Sequence, residues 1–259
     1  MFIALDIGNT NVTVGLLKDL TVVCSFKFDT SVLKSKSKTV ALLKSRIFPV
    51  LGKESIDLDV YVSSVVPSLN KSIRRAIDSS FKRDTKIVGE DVIVPIMNRY
   101  RIPNQVGQDR LVNAYAGLKL YGAGLIIIDF GTAITFDVVS KRSEYQGGLI
   151  TPGLKIMQEA LHKKTALLPY VELARPIEII GGDTVSSIRA GIIYGVASLC
   201  DGITRRLLEK ECRGFKVIAT GGDALLIKPY CRFLNRIEES LILKGLALIH
   251  KSQSIKKQL

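Results

Sequence analysis

The sequence contains the same strand-and-turn pattern twice, once at its start and once near its middle. The first copy covers residues 3–15 and reads IALDIGNTNVTVG; the second covers residues 126–138 and reads IIIDFGTAITFDV. In each copy an apolar strand ends in Asp-x-Gly, a turn with small hydroxylated residues follows, and a β-branched strand comes next. Each copy predicts a β-hairpin with its acidic residue at the end of the first strand. A repeat of this kind indicates two halves of like fold that face each other.

The rest of the chain predicts that both halves belong to the α/β class. Strands are predicted at residues 59–66, 85–88 and 215–219, and helices at 69–81, 110–120, 184–210 and 240–250. Within the long helix, Gly191 and Gly195 are candidate break points. The run Tyr-Gly-Ala-Gly at residues 121–124 interrupts a helix just before the second copy begins. The predicted domains are therefore residues 1–120 and 121–259.

Length and composition are those of an ordinary globular protein. With 259 residues, 47% of them hydrophobic, the chain can build one large or two small apolar cores. The first residues read as a strand rather than a secretory leader, and no segment offers the roughly 18 uncharged apolar residues of a membrane span. The four cysteines lack C-x-x-C spacing, which favours reduced thiols over a zinc site. We therefore expect a cytoplasmic protein that does not bind membranes.

Both Asp-x-Gly turns have the chemistry of a phosphate-binding loop. In the first, Gly8 lets the backbone approach a phosphate, and backbone N–H groups with Asn and Thr side chains can donate to its oxygens. Asp6, at the strand end, can hold Mg²⁺ directly or through water against the phosphates of a nucleotide. One such turn alone is more often an ordinary hairpin. Two copies, each after an apolar strand, favour phosphate binding.

A third element follows the second hairpin. The segment 217–224 reads VIATGGDA, a strand that leads through Gly221 and Gly222 into the start of a helix. Paired glycines at such a point make a surface that a flat base or a ribose can approach closely. Alone the segment is a weak signal. Its position after two predicted phosphate turns favours a role in nucleotide binding.

The formal net charge of +13 calls for an anionic partner. The densest basic clusters, Lys34–Lys38 and Lys251–Lys257, contain no interleaved aromatic residues, and no nucleic-acid-binding motif is present. Such runs are usually solvated loops or tails. A basic cleft that attracts a nucleotide and an acidic substrate explains the charge equally well. A nucleic-acid partner is accordingly the minor alternative.

Two Asp-x-Gly turns followed by a Gly-Gly loop resemble the actin-like ATPase superfamily of sugar kinases, actin and Hsp70-type chaperones. Order and spacing are similar, from about residue 1 to 249, to type III pantothenate kinase. The segments that carry this resemblance are DIGNTN (6–11), SSVVP (63–67), VGQDR (106–110), DFGTA (129–133), GGLITPG (147–153) and TGGD (220–223). The resemblance implies two ribonuclease-H-like (actin-like) α/β domains with a nucleotide cleft between them.

The same resemblance implies ATP-dependent phosphorylation of pantothenate to 4′-phosphopantothenate, the entry to coenzyme A synthesis. It also implies Mg²⁺, a monovalent cation such as K⁺ or NH₄⁺, and a homodimer whose contact the helices of Thr184–Lys210 would carry. Asp109 matches the family's catalytic carboxylate, which orients the attacking hydroxyl and accepts its proton. Arg110 could hold the substrate carboxylate or stabilise charge on the transferring group. Without the resemblance, this Asp–Arg pair would read as a surface pair at a helix start.

The resemblance also assigns candidate ligand contacts. For ATP they are Asp6, Ile7, Gly8, Asn9, Thr10, Asn11, Val12, Thr13, Thr132, Gly221 and Gly222. For pantothenate they are Tyr100, Gly107, Gln108, Asp109, Arg110 and Thr184. The monovalent cation is assigned to Asp129, and Mg²⁺ to Asp6 through the phosphates.

The chain departs from the family pattern at two positions. After Tyr100 the family usually has Asn-Pro, whereas here Arg101 and Ile102 come before Pro103. The family usually has Asn before Thr184, and this chain has Asp183. If Asp183 faced the pocket, its charge would repel an anionic substrate and weaken binding.

Two other functions compete with this one. One is a kinase for a different hydroxylated acid or sugar on the same scaffold, although the sugar-binding Asn-Asp pairs of hexose kinases are absent from the sequence. The other is a regulatory or binding protein. A repressor would normally carry a helix-turn-helix ahead of the core, and a chaperone would carry a substrate-binding domain after it. With the first strand beginning at Phe2 and the length of 259 residues, we expect neither.

Overall fold

Two β-hairpins organise the fold, one in each of the two units into which the chain divides. The computed structural model describes residues 1–51, 58–81 and 85–256. The first unit comprises Met1–Leu120 and Ser240–Leu259, and the second comprises Tyr121–Glu239. In chain order the helices and strands are β1 (Phe2–Ile7), β2 (Asn11–Lys18), β3 (Thr21–Asp29), α1 (Lys36–Leu51), β4 (Asp59–Ser64), α2 (Pro67–Phe81), β5 (Thr85–Ile87), β6 (Met97–Asn98), α3 (Gln108–Tyr121), β7 (Leu125–Phe130), β8 (Ala133–Val139), β9 (Glu144–Pro152), α4 (Leu154–Lys164), α5 (Thr184–Lys210), β10 (Lys216–Thr220), α6 (Ala224–Ile227), β11 (Arg236–Ile237) and α7 (Leu241–Lys256).

The sheet of the first unit has the strand order β3-β2-β1-β4-β5. Strands β1, β2 and β3 form an antiparallel meander, whereas β4 and β5 run parallel to β1. One face carries Ile3, Leu5 and Ile7 of β1, which pack in one apolar core with residues of α1 and α2. β1 is buried along almost its whole length because helices cover both faces of the sheet, which explains its nearly continuous apolar sequence.

The other face of this sheet is covered by α7, which contacts β1, β2, β3 and β4. Its side chains Leu241, Leu243 and Leu246 are buried, and His250 stacks on Phe2 with ring centroids 4.9 Å apart. The prediction that residues 240–259 belong to the second domain is therefore wrong. Helix α7 follows the second half in the sequence, but it packs on the sheet of the first. Its apolar pattern predicts that it is buried, and does not indicate which sheet it covers.

The second unit repeats this topology. Its strands have the order β11-β10-β7-β8-β9, with β7, β8 and β9 as the antiparallel meander and β10 and β11 parallel to β7. The predicted repeat of a hairpin therefore extends to the whole sheet arrangement of each unit. The prediction of two α/β domains with hairpins at residues 3–15 and 126–138 is confirmed.

Helix α5 runs unbroken through Gly191 and Gly195, so the candidate break points are wrong. Ile192, Ile193 and Val196 are buried in the core of the second unit, and this packing outweighs the low helix propensity of glycine. Elements that the sequence analysis missed are β3, α1, β6, β9, α4 and β11. The basic cluster Lys34–Lys38, interpreted as a loop, includes the first turn of α1, although its lysine side chains are exposed.

Within the described ranges, no helix has both the length and the apolar character that crossing a bilayer requires.

Gly245 offers a test of the packing of α7. A Cβ built at Gly245 would lie 2.6 Å from Cγ1 and 2.8 Å from the carbonyl oxygen of Val112 on α3. Because a backbone carbonyl cannot move aside, we expect Gly245→Ala to lower the free energy of unfolding by about 1–3 kcal/mol. Chemical denaturation followed by circular dichroism measures this change.

Gly202, in the middle of α5, is the matched control because a Cβ there meets nothing within 4 Å. Gly202→Ala should leave stability unchanged or raise it by about 0.5–1 kcal/mol through helix propensity. Equal effects of the two substitutions would contradict the packing of α7 against α3.

Candidate active site

The first hairpin holds Asp6 at the end of a central strand. Asp6 lies opposite Thr13 on β2 and Ser63 on β4. The turn is closed by the Gly8 N–H, which donates to the Asn11 carbonyl at 2.9 Å. Asn9 and Asn11 are exposed, as side chains that contact a ligand must be. The first predicted phosphate turn is thus a tight, solvent-facing loop next to a carboxylate.

Thr30 anchors this turn, and the sequence analysis missed it. Its Oγ1 donates to the Gly8 carbonyl at 2.8 Å and its backbone N–H donates to the Thr10 carbonyl at 3.0 Å. Thr30 is buried just after β3. No local signal marks it, because these hydrogen bonds join residues 20 and 22 positions apart in the sequence.

The second hairpin is built in the same way. Asp129 lies opposite Thr135 on β8 and Thr220 on β10. The Gly131 N–H donates to the Ala133 carbonyl at 3.2 Å, and the Gly153 N–H donates to the Thr132 carbonyl at 3.1 Å. A Cβ on Gly153 would overlap the carbonyl oxygens of Thr132 and Gly131. Gly153, the N-cap of α4, therefore fixes this turn as Thr30 fixes the first one.

The paired glycines after β10 lie directly beside Asp129. Gly221 has a φ of +93°, and a Cβ there would overlap the Asp129 carboxylate and lie 2.6 Å from backbone atoms of Phe130. The Asp223 N–H donates to the Phe130 carbonyl at 3.2 Å. Two of the predicted site elements of the second unit, the Asp-x-Gly turn and the Gly-Gly loop, are thus brought together.

In the first unit, the segment 98–110 leads from β6 into α3 and carries the candidate substrate contacts. The Asn98 side chain organises it: its Oδ1 accepts from the Tyr100 N–H at 3.0 Å and its Nδ2 donates to the Pro103 carbonyl at 3.3 Å. Pro103 begins a 3-10 turn that ends at Gln105. Ile102 accepts from the Gln105 N–H through its carbonyl, and its side chain is half exposed. The departure at Ile102 therefore leaves the backbone course, which depends on Asn98 and Pro103, intact.

Asp109 lies in the first turn of α3. Its Oδ1 accepts from the Arg110 N–H at 2.8 Å, and a Cβ on Gly107 would lie only 2.5 Å from the same oxygen. The glycine therefore leaves the space that the carboxylate occupies, and the helix N-terminus favours its negative charge. Arg110, the next residue of α3, is 7% exposed, so its positive charge is held inside the protein. A half-buried carboxylate and a buried cation at one helix start can orient a hydroxyl and an anionic group.

Thr184 begins α5, and Asp183 is the N-cap of this helix. The Asp183 carboxylate accepts from the Ser186 N–H at 2.9 Å, and Ser186 Oγ accepts from the Asp183 N–H at 3.1 Å. The Ser186 N–H lowers the pKa of Asp183 below its usual value. Asn and Asp are equally good N-caps. The carboxylate is thus turned toward the helix start, where the partial positive charge offsets its own.

Metal ligands are sparse in the described part of the chain. There, no three His, Cys, Asp or Glu side chains lie close enough together to hold an ion. Burial raises the pKa of Cys200 and Cys231, so both thiols stay protonated near neutral pH. A Mg²⁺ ion at this site would therefore need ligands from a bound phosphate or water besides a carboxylate such as Asp6.

These sheets and turns define a two-domain α/β protein of the actin-like ATPase fold. In agreement, the structure of MreB 5 of Spiroplasma citri, solved with AMPPNP, superposes on this chain with a TM-score of 0.54 at 12% identity. The superposition covers 100% of this chain and 98% of the MreB chain.

The family model for type III pantothenate kinase matches residues 2–206. Type III pantothenate kinase of Geobacter sp. (strain M21) is 40% identical over 255 residues, which are 97% of this chain and 99% of that protein. The enzyme of Halalkalibacterium halodurans (strain ATCC BAA-125 / DSM 18197 / FERM 7344 / JCM 9153 / C-125) is 36% identical over 252 residues, 97% of this chain and 99% of that protein. The chain belongs to the type III pantothenate kinase family.

Gly221→Ala tests the close approach of the Gly-Gly loop to Asp129. We expect it to lower the free energy of unfolding by about 1–3 kcal/mol more than Gly214→Ala does, because only at Gly221 does the new Cβ meet other atoms. Gly214 has a φ of +76° and nothing within 4 Å of a built Cβ, so its substitution by alanine introduces backbone strain without a collision. Urea denaturation of both variants gives the difference, and equal losses would refute the close contact.

Proposed function

We propose that this chain transfers the γ-phosphoryl group of ATP to a hydroxyl of pantothenate, forming 4′-phosphopantothenate in the first step of coenzyme A biosynthesis. The observation that carries the proposal is the Asp109 carboxylate, held at the start of α3 within the family's VGQDR motif. Membership in the type III pantothenate kinase family supports the reaction class and the substrate.

In the proposed mechanism, Asp109 is the catalytic base. Phosphoryl transfer passes through a loose transition state, so the carboxylate mainly orients the attacking hydroxyl and accepts its proton as the bond to phosphorus forms. The γ-phosphoryl group leaves with its three oxygens, and the bond to ADP breaks. Arg110, which is buried and follows Asp109 in α3, would hold the pantothenate carboxylate or stabilise charge on the transferring group. Tyr100, Gly107, Gln108 and Thr184 complete the proposed pantothenate contacts.

ATP is proposed to bind against Asp6–Thr13, Thr132 and the pair Gly221 and Gly222. The tight turn at Gly8 supports this assignment because its exposed Asn9 and Asn11 side chains can donate to phosphate oxygens. The close packing of Gly221 on Asp129 supports it because it brings the Gly-Gly loop next to the second Asp-x-Gly turn. Mg²⁺, when bound with Asp6 and the phosphates, supplies positive charge that neutralises the charge developing on the oxygens.

We also propose that Asp129 contributes to a monovalent-cation site for K⁺ or NH₄⁺. Asp129 is half-buried and is the last residue but one of β7. Its carboxylate lies beside the Gly221 backbone, where it supplies negative charge in a confined space. A cytoplasmic location stays a prediction from the sequence.

Phosphorylation of pantothenate by the purified protein with Mg-ATP tests the function. We expect product in the presence of K⁺ and much less in Na⁺. Asp109→Asn should lower kcat by about 10²–10⁴-fold because the base is lost, while the KM for ATP stays nearly constant. Product formation is measured by a coupled ADP assay and by mass spectrometry of the product.

Asp19→Asn is the matched control for Asp109→Asn. Asp19 lies in an exposed turn with a φ of +54°, a conformation that Asn adopts readily, so this variant should keep full activity. Wild-type protein that binds ATP but forms no product would refute pantothenate as the substrate. An Asp109→Asn variant as active as the wild type would refute the assignment of the base.

A homodimer formed through α5 is the proposed assembly. A groove of about 530 Å³ beside α5 is lined by apolar side chains that include Met157, Leu161, Ile188 and Ile192. Nearby along the chain, Leu167 is 90% and Ile177 is 96% exposed. Large apolar groups left in water are costly, and a second copy of the chain would cover them.

Light scattering at micromolar concentration measures the assembly directly. The expected mass is twice the 28.4 kDa of the chain. Val185→Asp, at an exposed apolar residue of α5, should shift the mass toward the monomer if α5 carries the contact, and Leu225→Asp, at an exposed apolar residue of α6, should leave it unchanged. A wild-type mass of one chain would exclude the dimer under these conditions.

A further inference from the structure

The turn after β5 lies directly against the side chain of Gln108. Gly89 in this turn has a φ of +90°, and a Cβ there would lie 2.7 Å from Cδ and 3.0 Å from Cγ and Nε2 of Gln108. Gln108 is the first residue of α3 and the neighbour of Asp109. The space that a side chain would take at position 89 is therefore filled by the amide of a proposed pantothenate contact.

The backbone of this turn is closed by its own hydrogen bonds. The carbonyl of Ile87 accepts from the Asp91 N–H at 2.9 Å and from the Glu90 N–H at 3.2 Å, and the Gly89 N–H donates to the Val92 carbonyl at 2.8 Å. The Asp91 carboxylate accepts in addition from the Ile87 N–H at 2.8 Å. These bonds fix the position of Gly89 within the turn.

Helix α2 braces the same turn from outside. Arg74 donates to Asp91 Oδ2 at 2.6 Å and to the Thr85 carbonyl at 2.8 Å, and Asn70 donates to Glu90 Oε1 at 2.6 Å. Burial raises the pKa of Asp91, but the Ile87 N–H and Arg74 lower it more, so its pKa lies below the usual value and the carboxylate stays charged. The brace therefore persists at neutral pH and holds the turn against α3.

We propose that Gly89 is a positioning residue that fixes the Gln108 amide in the pantothenate site, with the Arg74–Asp91 pair as its support. This inference rests on the proposed function, since it takes Gln108 as a substrate contact. A side chain at position 89 would push the Gln108 amide away from its position while Asp109 keeps its own hydrogen bond to the Arg110 N–H. Substrate binding would then suffer more than the chemical step.

A purely structural role for Gly89 makes a different prediction. A left-handed conformation strains the backbone of a non-glycine residue wherever it occurs. If this strain were the whole effect, Gly89→Ala would lower stability and would do so independently of the residue at position 108. Coupling between the two positions distinguishes the two roles.

A double-mutant cycle on the full-length protein tests the inference. The variants are Gly89→Ala, Gln108→Ala and the double substitution, with kcat and the KM values for pantothenate and ATP measured for each. Gly89→Ala should raise the KM for pantothenate roughly 3- to 30-fold, the range expected of residues in direct contact, with a KM for ATP changed less than about twofold. In the Gln108→Ala background, the same substitution should change the pantothenate KM by less than about twofold, because the atoms it would displace are gone.

Gly214→Ala is the control for backbone strain, since it shares the positive φ but meets no other atom. It should lower the melting temperature about as much as Gly89→Ala and leave the KM for pantothenate unchanged. Should Gly89→Ala fail to fold, Asp91→Asn replaces it: the neutral side chain weakens the pair with Arg74 and should raise the pantothenate KM only when Gln108 is present.

The outcomes separate the inference from the function on which it rests. Pantothenate phosphorylation by the wild type together with equal effects of Gly89→Ala in both backgrounds would overturn the positioning role and leave the function standing. No effect of Gly89→Ala on the pantothenate KM would do the same. No phosphorylation by the wild type would overturn the proposed function and the inference with it.

Discussion

The structure depends on how two tight turns are held at the ends of central strands. A hairpin turn alone is free to move, and an acidic residue at its edge has no fixed direction. In this protein a third segment holds each turn: Thr30 bonds to both sides of the first, and Gly153 packs on the carbonyls of the second. Both anchors use backbone carbonyls of the turn as acceptors. The turn is thereby fixed while its exposed side chains remain available for a ligand.

The sequence predicted the parts of the site that are local and could not predict those that join distant segments. The hairpins were predictable because strand alternation and Asp-x-Gly lie within about a dozen residues. Thr30 was not, since a threonine after a strand carries no mark of the turn it bonds to 22 positions away. The same limit explains α7: its apolar character predicts burial, but the sheet it covers is decided by tertiary packing of Gly15 against Leu243 and of Gly245 against Val112.

Glycine has two roles here that the sequence does not distinguish. Gly191 and Gly195 read as helix breakers, yet they lie in a continuous α5 with no heavy atom within 4 Å of a built Cβ. Gly107, Gly153 and Gly245 are needed because another part of the protein fills the space beside them. In the sequence, a glycine that packing requires looks the same as one that it does not. Only the neighbours in space show which glycines are required by packing, and these are the ones close to the proposed site or to α7.

Asp183 illustrates how a family departure can be neutral. From the sequence, a carboxylate in place of the usual amide predicts repulsion of an anionic substrate if it faces the pocket. In the structure, the carboxylate accepts from the Ser186 N–H and caps α5, a role that Asn fills equally well. An exposed charge that is also offset by a helix N-terminus acts weakly on a ligand, because solvent screens it. The proposed pantothenate site therefore depends more on the fixed geometry of Gln108, Asp109 and Arg110 than on this charge.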